Sequence, residues 1–90
     1  MNIGIEDYEQ LISDGKRIQN TTREFQSEID NIYSIIDDLK NSWTGESAKR
    51  YTDDIEGFKE DFLKLADLML DHGTLIESVG KDYKRLEEEL

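Results

Sequence analysis

Residues 41–54 read NSWTGESAKRYTDD and hold the only tryptophan of the chain, Trp43, with Gly45 two places on. Asn41, Ser42, Thr44 and Gly45 form the densest run of turn formers and helix caps in the sequence, so one helix stops here and another starts. Thr44 or Gly45 suits the N-cap of the second helix, and Glu46 in its first turn complements the positive end of the helix dipole.

On both sides of this turn, apolar residues recur at steps of three and four, the helical period rather than the strand period. Stepping from Tyr8 passes through Leu11, Gly15, Ile18, Thr22, Phe25, Ile29, Ile32, Ile36 and Leu39, with Gly15 and Thr22 off the apolar pattern. Stepping from Ala48 passes through Tyr51, Ile55, Phe58, Phe62, Leu65, Met69, His72, Ile76, Val79, Tyr83, Leu86 and Leu90, of which only His72 is clearly polar. The pattern predicts an all-α fold, a long antiparallel helix-turn-helix hairpin forming a single domain. Helix 1 is expected over about residues 5–41, the WTG turn over about 42–45 and helix 2 over about 46–88.

Gly73 and the capping-box spacing of Thr74 and Glu77 raise the question of a break in the second helix. The heptad register runs through without a slip, so one continuous helix, bent near Gly73, is the expectation. Ala66, Gly73 and Gly80 recur at heptad spacing beside the main stripe, where their smallness lets a neighbouring helix approach.

A chain of 90 residues builds a thin core by itself. Further apolar residues flank the stripes: Ile12, Tyr33 and Ile35 on the first arm, and Leu63, Leu68, Leu70 and Leu75 on the second. Faces this wide suit a four-helix bundle, which predicts a homodimer or a dimer with a similar helical hairpin. The expected core and dimer residues are Leu11, Ile18, Phe25, Ile29, Ile32, Ile36, Leu39, Tyr51, Ile55, Phe58, Phe62, Leu65, Met69, Ile76 and Val79.

Charge and composition narrow the function. With 22 acidic against 11 basic side chains, the formal net charge is −11, a surface that repels nucleic-acid phosphates and anionic lipid heads. Neither nucleic-acid binding nor stable membrane insertion is expected, since no apolar run approaches the roughly 20 residues that cross a bilayer. The opening MNIGIEDYEQ lacks the basic and apolar regions of a signal peptide, which predicts synthesis in the cytoplasm without a cleavable leader. There is no cysteine, and the single His72 assembles no metal site by itself. Acidic pairs and runs such as Asp37 and Asp38 or Glu87, Glu88 and Glu89 read as solvated helix faces, and no phosphate loop or nucleophile motif is present. The chain is therefore read as a non-enzyme without cofactor or metal.

The Trp43, Thr44, Gly45 sequence, placed midway between two heptad arms in a chain of this length, resembles the WXG family of small early-secreted-antigen-like proteins. That resemblance implies export by the type VII secretion machinery of Gram-positive and mycobacterial cells, as folded dimers of helical hairpins, with a role in virulence. It also implies a Tyr-x-x-x-Asp/Glu signal near the end of the second helix, which Tyr83 and Glu87 match. Tyr33 and Asp37 share the spacing but lie within the first arm. The implied secretion signal is thus Trp43, Gly45, Tyr83 and Glu87, read by the secretion ATPase or translocon. In an antiparallel pair of hairpins, Trp43 of one copy would lie near Tyr83 and Glu87 of the other. The alternatives are an adaptor that heterodimerises with a larger secreted toxin, and a cytoplasmic coiled-coil scaffold.

Overall fold

Asp7 begins the first helix: its Oδ1 accepts the N–H of Gln10 at 2.9 Å, satisfying one of the donors a helix start leaves unpaired. The computed structural model describes residues 7–89, and the described residues form three helices. These are α1 (Tyr8–Ser42), α2 (Glu46–Gly57) and α3 (Lys59–Glu89), with 35, 12 and 31 residues. The fold is an all-α helical hairpin in which α1 is the first arm and α2 and α3 are the returning arm. The predicted start of helix 1 near residue 5, and Leu90 at the end of the second stripe, lie outside the described residues.

The single helix expected over about 46–88 is divided, and the division falls at Phe58 rather than at Gly73. The break coincides with a carbonyl that takes two donors. The Ile55 carbonyl accepts the N–H of Phe58 at 3.1 Å and the hydroxyl of Tyr33 at 2.5 Å. In a regular α-helix that carbonyl would serve the N–H four residues on, and inserted side chains are among the features found where such ladders are interrupted. The ladder resumes when Phe62 donates to the Phe58 carbonyl at 3.1 Å. At Gly73, by contrast, α3 continues without interruption.

Packing falls into two units. One comprises residues 23–67. Its core is Ile29, Tyr33 and Ile36, with Phe25 and Leu63 packed against them. Removing side chains of this size from water contributes about 1.5–3 kcal/mol each. Ala48 and Thr52 of α2 and Ala66 of α3 are also buried, Ala66 completely at 0% exposure. The Thr52 hydroxyl donates to the Ala48 carbonyl at 3.0 Å, so its burial leaves no polar group unpaired.

The other unit, described over residues 7–22 and 68–89, is held by small residues. Ile12, Gly15, Thr22, Gly73 and Gly80 are buried in it. A Cβ added to Gly15 would lie 2.5 Å from the Glu77 backbone nitrogen and 2.7 Å from the Gly73 carbonyl oxygen. Backbone therefore touches backbone at this point. One Cβ on Gly80 would come within 2.8 Å of Ile12, and one on Gly73 within 2.9 Å of Gln19. Gly15 and Thr22, off the apolar pattern in sequence, are thus seam residues.

Polar contacts flank the close approach. Gln19 Nε2 donates to Glu77 Oε1 at 2.6 Å, and Lys81 Nζ pairs with Glu77 Oε2 at 2.6 Å. These bonds, Lys81's first and Gln19's second, hold the Glu77 carboxyl below its ordinary range. Lys84 Nζ reaches Glu9 at 3.3 Å, which raises the ammonium's pKa.

The glycine contacts predict opposite outcomes for the same substitution. Gly15→Ala should destabilise the chain by about 1–3 kcal/mol through overpacking, more than offsetting the gain of about 1 kcal/mol in helix propensity. Gly57→Ala, with nothing within 4 Å of the new methyl, should be neutral or stabilising by up to about 1 kcal/mol. Urea denaturation at one fixed protein concentration measures both.

Candidate functional site

The turn at Trp43 is built by backbone requirements before side chains enter. The Trp43 N–H donates to the Leu39 carbonyl at 2.7 Å, closing the last turn of α1. Gly45 then takes φ 112° and ψ 170°, and its carbonyl accepts the Lys49 N–H at 3.0 Å to open α2. Residues with a Cβ rarely enter that region, so the position calls for glycine on conformational grounds. Space is not the reason, because a Cβ there would meet nothing within 4 Å.

This geometry leaves the indole of Trp43 at the surface, 42% exposed. Its ring lies against Tyr51, with centroids 5.9 Å apart and planes inclined by 32°. Such a pair contributes about 0.5–1.5 kcal/mol beyond its buried area. It also fixes the aim of the indole. Beside it runs an open groove lined by Lys40, Trp43, Thr44, Gly45, Glu46, Lys49, Thr52 and Asp53. Two ion pairs flank the groove: Lys40 with Glu56 at 2.6 Å and Lys49 with Asp53 at 3.1 Å. The hydrogen bond from Glu56 raises the pKa of the Lys40 ammonium above its ordinary value. The turn thus presents an exposed aromatic pair at the surface, flanked by two ion pairs.

Tyr83 and Glu87 lie in the other unit, both exposed, and their spacing of four places them on one face of α3. Tyr33, which shares the spacing with Asp37, is buried and spends its hydroxyl on Ile55. Of the two pairs, Tyr83 and Glu87 are the one presented at the surface. His72 is exposed.

The stripe residues fall into classes of exposure in the chain. Ile29 and Ile36 are buried, whereas Leu11, Ile18, Phe25, Met69, Ile76 and Val79 are half-buried. Ile32, Leu39, Tyr51, Ile55, Phe58, Phe62 and Leu65 are exposed. Contacts beyond sequence reasoning include the Tyr33 bond to Ile55 and the Gln19 bond to Glu77. Each joins residues far apart in sequence whose pairing carries no local pattern.

Among the described residues no group of His, Cys, Asp or Glu is arranged to hold a metal ion. No helix among them is long and apolar enough to cross a membrane. A helical hairpin whose arms are joined through an exposed Trp-x-Gly turn defines a class of small all-α proteins. Residues 6–88 match the WXG100 family, proteins of 100 residues with WXG, and the chain belongs to that family. Its members are secreted helical hairpins, substrates of type VII secretion that typically form homo- or heterodimers and are not known enzymes. Among characterised proteins the chain is similar to Protein YukE of Bacillus subtilis (strain 168), 24% identical over 82 residues, which is 91% of this chain and 84% of that protein. No solved structure matches it.

Gly45→Ala should cost about 1–3 kcal/mol, the strain of a Cβ residue in this backbone region. Thermal unfolding measures the loss. A loss no larger than that of an ordinary surface substitution would show that the turn relaxes to another conformation.

Proposed function

We propose that the chain is exported as a folded dimer of hairpins by a type VII secretion system and acts outside the cell through protein–protein contacts. The observation that carries this reading is the apolar surface left open on the 23–67 unit, where Ile32 is 51%, Phe58 56% and Leu65 47% exposed. Clusters of large apolar side chains of this kind mark an interface rather than a solvated face. A second copy would cover them and complete a four-helix bundle. Trp43 and Gly45 of one copy, with Tyr83 and Glu87 of the other, would then form a signal present only in the assembled dimer. The secretion ATPase or translocon is the proposed reader.

Light scattering on the purified chain, with circular dichroism on the same sample, tests the assembly. A helical species of twice the chain mass is expected. A poorly helical monomer would move the adaptor for a larger toxin to first place, since the missing half of the bundle would belong to another protein. Phe62→Asp places a charge on the open face and should shift the dimer to monomer at micromolar concentration. A variant with unchanged mass would remove Phe62 from the interface.

The signal is tested separately. Trp43→Ala and Glu87→Ala should each abolish recovery of the protein in culture supernatant while leaving the purified dimer intact. Continued secretion of either variant would remove that residue from the signal. Loss of the dimer together with secretion would make the residue structural.

A further inference from the structure

Tyr33 occupies an unusual place for a core tyrosine. Its ring is packed with Ile29 and Ile36 and is 6% exposed, while its hydroxyl reaches across to the backbone of the returning arm. The Ile55 carbonyl takes that hydroxyl at 2.5 Å together with the N–H of Phe58 at 3.1 Å. On the other side, the Lys59 ammonium stands 5.4 Å from the centre of the Tyr33 ring. Hydroxyl and ring thus engage the two sides of the one break in the returning arm.

We propose that Tyr33 is a positioning residue: its hydroxyl holds the tight turn at Phe58, and this turn sets the phase of the open apolar stripe on the 23–67 unit. A straight α-helix lags a seven-residue repeat by about 20° per heptad, so a heptad stripe drifts around it unless the helices supercoil. A turn closed between residues three apart advances about 20° more per residue than an α-helical one. One such step between Ile55 and Phe62 offsets the lag of one heptad. Tyr51 and Ile55 before the turn then share a face with Phe58, Phe62 and Leu65 after it, and all five are exposed. Buried within its own chain, Tyr33 aims a surface that it does not touch through solvent.

Amide hydrogen exchange tests this residue by residue. In the wild-type chain the Lys59 N–H, displaced from the Ile55 carbonyl, is expected to exchange faster than the amides of Ile55 and Leu63. Tyr33→Phe keeps the ring and its packing but returns the carbonyl to the helix ladder. The Lys59 amide should then slow several-fold, and self-association should weaken several-fold as the stripe rotates out of phase. Loss of packing alone would have the opposite sign, with faster exchange throughout residues 55–63. Equal protection of Lys59 and its neighbours in the wild type, or faster exchange in Y33F, overturns the proposal. The association readout rests on the dimer proposed above, whereas the exchange readout does not. A monomeric chain with slowed Lys59 exchange in the variant would sink the dimer and uphold the turn. Unchanged Lys59 exchange in an intact dimer would do the reverse.

Discussion

Where Gly15 meets the returning arm, the backbones come so close that a single Cβ would lie 2.5 Å from the Glu77 nitrogen. Close approach requires small residues, and Gly73 and Gly80 supply them in that unit, as Ala48, Thr52 and Ala66 do in the 23–67 unit. This choice has an energetic consequence. Small side chains remove little apolar area from water, so a seam made of them contributes less than one made of leucine or phenylalanine at roughly 25 cal/mol per Å². The large apolar residues divide: Ile29, Tyr33 and Ile36 are buried, whereas Phe58, Phe62 and Leu65 stand in the open.

On the proposed reading, these open apolar residues are the surface that a second hairpin covers. The turn adds an oriented aromatic, since Gly45 at φ 112° and the Tyr51 ring together hold Trp43 outward. The chain belongs to a family of secreted helical hairpins that are not known enzymes.

Much of this was legible in the residues. The break between helices at Trp43 to Gly45 followed from turn formers, and the two arms followed from the step of three and four. The smallness of Ala66, Gly73 and Gly80 at heptad spacing pointed to close packing, and all three are buried. Periodicity could not separate two kinds of apolar position on one arm. Ile29 and Ile32 belong to the same stripe by spacing, but the first is buried and the second exposed. Gly15 and Thr22 looked like interruptions of a stripe and are seam residues instead, because hydropathy scores a residue by its apolar character and not by how closely a neighbour can approach.

The division at Phe58 shows the boundary most plainly. The residues around it, Asp54 to Asp61, contain no proline and one glycine, and their local preferences suit a continuous helix. At the break Tyr33, distant in sequence, donates its hydroxyl to the Ile55 carbonyl. Local backbone preference and periodicity were enough to read the helices and the turn at Trp43 to Gly45 from the residues. Which apolar residues form the seam, which remain open, and that Trp43 lies exposed against Tyr51 depend on what the fold brings within reach of each side chain, which no local pattern records.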